Sequence, residues 1–389
     1  MMFRPLFLVA FLGVPLAGCS VEDPPPFQEM LDQGMGRYLG ETSAEQVAQD
    51  DGSTLYEFDP ADGPMCLRGG DFQALTRPGT SPELMIYLQG GGACWSELCI
   101  AFETAGSAIP ASGILDSTLA VNPVREWNVG YVPYCDGSLF VGDVDIDEDG
   151  DGTVDRYHRG LANLSAALDA IHSEFPEPPY IVLSGLSAGA YGTILAGAVA
   201  RTVWPDVPID LVADGGIGLG KPGIEGFITG LLEEWNIMSV VPESCDDCFR
   251  DGHATKLISW ALDEDPTLRY AGLSSLEDSV ISVMFLELSG AIYSGEVRLV
   301  IGDMALQHPE QYAHYIYAGS RHTTLALSET TDLGEAGTLP FDVGGSEAVA
   351  AQLEDILGRI DVTQIDGVTP ADWLGSWLAR EPGFQSLSD

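Results

Sequence analysis

The sequence predicts an α/β fold, a mostly parallel sheet with helices on both faces. Two observations predict it. Short continuous apolar runs such as Leu84-Met85-Ile86-Tyr87-Leu88 have the length of strands buried on both faces. They alternate with longer segments whose apolar residues recur at helical spacing, and that alternation builds parallel sheets.

The elements follow in chain order. Residues 1–18 read as a signal peptide: Arg4 supplies a positive start, and the apolar stretch 6–16 is too short to span a membrane. Leu16-Ala17-Gly18-Cys19 has the form of a bacterial lipobox, so Cys19 is the expected lipidation site. Residues 19–53 read as a tether with one helical patch around 27–37. The rest, 54–389, reads as one catalytic domain. In it, strand 84–88 runs into Gly90-Gly91-Gly92, and a short strand is expected at 129–132. Leu161, Leu164, Ala167, Leu168 and Ile171 mark a helix. Strand 180–184, a small-residue helix 188–203 and strand 209–213, ending at Asp214-Gly215-Gly216, come next. A helical insertion is expected at about 220–265, and further strands at 269–275 and 315–317.

Charge and cysteines bound the setting. Sixteen basic residues stand against 59 acidic ones, a net charge of −43, with Lys221 and Lys256 the two lysines. Such a surface repels nucleic acid and offers no basic patch for phosphates. It suits solubility in a salty medium, where screening reaches only roughly 3 Å at 1 M salt. Apart from Cys19 the cysteines number six, an even set that in an exported protein reads as disulfides. Proximity pairs Cys94 with Cys99 and Cys245 with Cys248, leaving Cys66 for Cys135. Cys245 and Cys248 could serve zinc instead, but neither a second CxxC nor a well-spaced histidine pair accompanies them.

The chemistry concentrates at Gly185-Leu186-Ser187-Ala188-Gly189, between an expected strand and an expected helix. In this G-x-S-x-G arrangement the chain turns sharply and lifts the serine hydroxyl above the sheet, beside a helix N-terminus, as in the α/β-hydrolase fold. Ser187 is the expected nucleophile. An attacking serine needs N–H donors for the oxyanion. Ala188 supplies one, and the glycine loop after strand 84–88, through Gly91 and Gly92, supplies others.

These residues resemble the pectin acetylesterase and Notum family of serine carboxylesterases. Leu88-Gln89-Gly90-Gly91-Gly92-Ala93-Cys94 is similar to its glycine-rich segment, Tyr134-Cys135-Asp136-Gly137-Ser138 to its second signature, and 184–192 to its nucleophile segment. Arg159-Gly160 is similar to its helix-opening pair, and the resemblance covers roughly 55–326. Two departures stand near the expected substrate pocket: Trp95 follows Cys94 instead of a tryptophan preceding it, and an acidic insertion follows Cys135. Trp95 and Asp136 are the expected substrate-binding residues.

The hydrolase chain order is nucleophile, acid, histidine. His158 and His172 precede Ser187. His322, after the strand-like Tyr315-Ile316-Tyr317, is the expected general base, ahead of His253, His308 and His314. For the acid, Asp278 follows strand 269–275, the place that the resemblance implies, ahead of Asp214 and Glu277.

The acidic insertion, 143–155, contains Asp147-Glu148-Asp149-Gly150-Asp151-Gly152-Thr153-Val154-Asp155. Alternating carboxylates around a turning glycine suit a hard cation, with Asp147, Asp149, Asp151, the Thr153 carbonyl and Asp155 as ligands and Asp145 as an outer candidate. A structural calcium ion is therefore expected, and no cofactor for catalysis. The expected protein is an exported esterase, anchored by lipid to the bacterial cell envelope, that touches the membrane through that lipid alone. Its partner is an ester of a short acyl group, with an acetylated polysaccharide suggested by the resemblance. The alternative is a non-catalytic, lipid-anchored binding protein that keeps the hydrolase fold.

Overall fold

The computed structural model describes residues 24–224, 226–331, 355–362 and 364–389. The expected signal peptide, 1–18, and the expected lipidation site Cys19 lie outside the described residues. The strands are β1 Ala44–Ala48, β2 Thr54–Phe58, β3 Gln73–Arg77, β4 Leu84–Leu88, β5 Gly92–Trp95, β6 Leu98–Ala101, β7 Asn128–Val132 and β8 Val144–Ile146. There follow β9 Arg156–His158, β10 Ile181–Leu186, β11 Ile209–Asp214, β12 Arg269–Ser275, β13 Tyr312–Tyr317, β14 His322–Leu327, β15 Leu357–Arg359 and β16 Leu387–Ser388. The α-helices are α1 Gln28–Asp32, α2 Gly160–Glu174, α3 Ala188–Val203, α4 Gly226–Glu234, α5 Thr255–Glu264, α6 Gly290–Gln307 and α7 Pro370–Leu378.

Ten strands form one sheet in the order β1-β2-β3-β7-β4-β10-β11-β12-β13-β16. From β7 to β16 every pairing is parallel, and β1 to β3 extend it as an antiparallel edge that ends on β7. The period of two along β4 decides what covers each face. Leu84, Ile86 and Leu88 pack with α2 and α3 on one side, while Met85 and Tyr87 pack on the other with Leu325, Trp373 and Trp377. A run that is apolar at every position is therefore what a strand between two cores requires. Small residues bring α3 close to the sheet: a side chain at Gly197 would start 3.2 Å from Leu211.

The expected tether is in part a docked segment. Phe27, Met30 and Met35 are buried in the first core, and β1 completes the sheet edge. Because β1 is an edge strand with mostly exposed side chains, it carries no apolar alternation by which the sequence could announce it. The 220–265 stretch carries α4 and α5. No helix among the described residues is long and apolar enough to cross a membrane.

Three disulfides hold the loops above the sheet: Cys66–Cys135, Cys94–Cys99 and Cys245–Cys248. Cys94 and Cys99 face each other across the β5–β6 hairpin. The β8–β9 hairpin carries the acidic insertion at its tip.

Candidate active site

Ser187 sits at the junction of β10 and α3 with φ 54° and ψ −114°. A non-glycine residue held there stores about 1–3 kcal/mol of strain, which persists only where the surroundings dictate it. Here they do. A Cβ at Gly185 would lie 2.1 Å from the Gly189 carbonyl oxygen, and one at Gly189 would lie 2.1 Å from that of Leu88. Both glycines are therefore sterically required. The Ser187 N–H donates to the Asp214 carbonyl (2.8 Å), and its own carbonyl accepts from Ala190 (3.0 Å) and Tyr191 (3.2 Å), which opens α3.

Two loops bring in the partners. The segment after β12 zips onto the segment after β13: Leu276 N–H donates to the Tyr317 carbonyl (2.9 Å), Glu277 to Gly319 (2.9 Å) and Ser279 to Ser320 (3.0 Å). This pairing sets the buried Asp278 against His322, Oδ2 to Nδ1 at 2.7 Å. The other oxygen, Oδ1, accepts from Val280 (3.1 Å) and Ile281 (3.0 Å), which fixes the carboxylate plane. A carboxylate on Nδ1 selects the tautomer that carries its proton there and leaves Nε2 as a base. His322 Nε2 is buried and makes no hydrogen bond, so the serine–histidine bond itself is not formed in this structure. Such bonds commonly tighten only around bound substrate. The space between the two residues is kept by Gly215 and Gly216. A Cβ at Gly215 would meet His322 Cε1 at 2.9 Å, and one at Gly216 would meet the Ser187 carbonyl oxygen at 2.9 Å.

The glycine loop packs as closely. A Cβ at Gly90 would lie 2.7 Å from the Leu186 carbonyl oxygen, at Gly91 2.5 Å from the Tyr134 ring, and at Gly92 1.9 Å from the Ile100 carbonyl oxygen. Gly92 and Ala188 border the same cavity as Ser187. Gly91 lies one residue back, its carbonyl accepting from Phe102 N–H (2.9 Å).

That cavity, together with the open solvent at its mouth, takes up about 930 Å³. Its walls are almost wholly apolar: Leu231, Leu232 and Trp235 from α4 and the residues after it, with Phe249, Leu257 and Phe285. The Trp95 ring lies 6.4 Å, centroid to centroid, from both Phe227 and Phe285. Trp95 thus lines the cavity where a substrate-binding residue was expected. Apart from Gly92, Ser187 and Ala188, none of the other wall residues was given a role from the sequence. The recurrence of Phe227, Ile228, Leu231, Leu232 and Trp235 at helical spacing was an available signal, and it does not say what the apolar face covers.

Asp136 is placed otherwise than expected. It is 1% exposed, and its Oδ1 accepts from the N–H and hydroxyl of Ser138 (2.8 and 2.5 Å) and from Phe140 N–H (3.3 Å). It caps a turn in which Leu139 and Phe140 both have positive φ, and it does not border the cavity. Burial raises its pKa above the usual carboxylate value. Asp214, the second-ranked acid, turns its carboxylate to the backbone of β14 and away from the imidazole nitrogens. Oδ2 accepts from Thr324 N–H (2.8 Å) and Leu325 N–H (2.7 Å), and Oδ1 from the Thr324 hydroxyl (3.1 Å).

Another serine–histidine pair lies outside this site. Ser259 Oγ is 2.6 Å from His308 Nε2, and Asp263 stands 3.9 Å from Nδ1. Ser259 is in the interior of α5, where the N–H groups are consumed by the helix ladder and are not available to an oxyanion.

At the tip of the β8–β9 hairpin, carboxylate oxygens of Asp147, Asp149 and Asp151 lie within 4.8 Å of one another. Asp147 accepts from Gly150 (2.8 Å) and Gly152 (2.9 Å). Asp151 accepts from Thr153 N–H (2.7 Å), and Asp155 from Glu148 N–H (2.8 Å). Asp145 is engaged by Arg159 (2.8 and 2.6 Å).

Residues 54–245 match the family model described as pectinacetylesterase. Among curated proteins, the chain is 27% identical over 237 residues to pectin acetylesterase 11 of Arabidopsis thaliana, covering 54% of this chain and 60% of that protein. It is 24% identical over 203 residues to palmitoleoyl-protein carboxylesterase notum2 of Xenopus laevis, covering 44% of this chain and 40% of that one. The chain thus spans about half the length of these relatives. The matched stretch contains the glycine loop, the Cys135 segment and the serine bend, on a mostly parallel sheet with helices on both faces. By these features residues 54–245 carry the pattern of the pectinacetylesterase family, on an α/β-hydrolase-like fold.

Proposed function

We propose that this chain is a serine carboxylic ester hydrolase working through Ser187, His322 and Asp278. The observation that carries the reading is a strained serine bordering an apolar cavity, with a buried carboxylate–imidazole pair behind it. Ser187 Oγ attacks the acyl carbonyl carbon and passes its proton to His322 Nε2. Backbone N–H groups of Gly91, Gly92 and Ala188 receive the oxyanion. The intermediate collapses, the alcohol leaves with the proton held by His322, and the acyl group stays on Ser187. Water, deprotonated by the same nitrogen, then releases the acid. Asp278 orients the ring and stabilises its cationic form throughout.

The cavity has room for an acyl chain longer than acetyl. Each methylene transferred from water to such walls contributes about 0.8 kcal/mol, roughly fourfold in kcat/KM. Activity on p-nitrophenyl esters is therefore expected to rise from acetate through butyrate to octanoate. In Leu232→Trp, which fills the cavity, the rise should vanish while acetate is still hydrolysed. A flat profile in the wild type would assign the acyl group elsewhere. The pectin acetylesterase relative adds an acetylated polysaccharide to the reading, and acetate release from one measures that directly.

Two further parts of the reading concern the setting. We propose that Asp147, Asp149, Asp151, the Thr153 carbonyl and Asp155 hold a structural calcium ion; the converging carboxylates and turning glycines support it. Calcium should raise the melting temperature of the wild type, and Asp149→Asn with Asp151→Asn should remove that rise. An unchanged melting temperature on titration counts against the ion. Export and lipid attachment at Cys19 complete the proposal, supported by three disulfides, which persist in oxidising compartments.

A further inference from the structure

We propose that Asp214 is a positioning residue: it ties the strand carrying His322 to the bend carrying Ser187. The inference rests on the reading of those two residues as the reacting pair. Asp214 holds both sides at once. Its main-chain carbonyl accepts the Ser187 N–H at 2.8 Å, and its carboxylate accepts the N–H groups of Thr324 and Leu325 at 2.8 and 2.7 Å, two and three residues past His322. The next residue, Gly215, lies under the imidazole.

A second observation shows what the tie restrains. Thr323, between His322 and the gripped amides, has φ 67°. A β-branched residue rarely adopts that conformation, and it persists only where neighbouring contacts over-determine it. Gly358 crowds one side, since a Cβ there would lie 2.2 Å from the Thr323 carbonyl oxygen. Asp214 supplies the other side. Released from Asp214, the kink relaxes toward ordinary β geometry and the imidazole moves with it. Displacement of a catalytic group by about 1 Å can cost a hundredfold in rate.

The tie depends on acceptor placement more than on charge. His322, Tyr87 and Tyr317 are the titratable groups that face Asp214, and burial pushes its pKa up to about 6. The neutral acid can still accept both amides at Oδ2 and donate from Oδ1 to the Thr324 hydroxyl. Asparagine can reproduce that pattern; glutamate, one methylene longer, cannot.

The test uses the full chain carrying Asp214→Asn, Asp214→Glu or Asp214→Ala, with Ser187→Ala as reference. Each is assayed with a p-nitrophenyl ester below its melting temperature. Asp214→Asn should keep kcat within about threefold of wild type. Asp214→Glu and Asp214→Ala should lose about tenfold or more in kcat at nearly constant KM. Should Asp214→Ala not fold, Asp214→Glu still decides. Wild-type kcat in the folded glutamate and alanine variants overturns the inference, as does an asparagine variant as impaired as Asp278→Asn. Wild-type activity in Ser187→Ala instead overturns the underlying reading of the site.

Discussion

Ser187→Ala is expected to lower kcat for a p-nitrophenyl ester by about 10⁶-fold while leaving the melting temperature unchanged. The two expectations have separate physical grounds. The bend is imposed by Gly185 and Gly189, which admit no side chain, and by main-chain bonds from Asp214, Ala190 and Tyr191. None of these uses the hydroxyl, so alanine takes the same conformation. The proposed chemistry does use it, as the atom that would form the acyl-enzyme. An organophosphonate should add its mass to the wild-type chain at Ser187 and leave the variant unlabelled. Retention of wild-type turnover in the variant would remove the esterase reading altogether.

Asp278→Asn should cost about 10⁴-fold in kcat, because an amide no longer imposes the tautomer in which Nε2 is the base. Its two backbone donors, Val280 and Ile281, still find the amide oxygen, so the variant should fold. Asp214→Asn provides the contrast in stability as well as in rate. Burial raises the Asp214 pKa from 3.8 to about 6 in the folded chain. A carboxyl shifted in this direction favours the fold in its neutral form. That contribution is complete below pH 4 and is lost as the pH rises through 6. Asp214→Asn, permanently neutral, should thus melt no lower than wild type at pH 8, with the gap closing toward pH 4. A melting temperature far below wild type at pH 8 would contradict this sign.

What could be read from the sequence was local. The Ser187 bend announces itself within five residues because both glycines and the serine are contiguous, although the contact that requires Gly189, the Leu88 carbonyl, lies on a neighbouring strand. The β4 and β10 strands announce themselves because burial on both faces leaves no polar position. The edge strand β1, mostly exposed, left no such mark. Asp136 stands in a motif beside a cysteine and looked like a substrate contact, yet it is buried away from the cavity with Oδ1 capping a turn. Residue type and spacing do not reveal which way a side chain faces.

The sequence by itself therefore determined the α/β architecture, the serine turn and the glycine loop, since each is marked by a contiguous run of residues or by the alternation of such runs. Only the tertiary structure decided that Asp278, not Asp214, faces the imidazole, and that the 220–265 helices wall an apolar cavity. Those outcomes depend on which loops meet above the sheet. Their partners are 44 and 110 residues apart in the chain, a separation over which composition and periodicity carry no directional information.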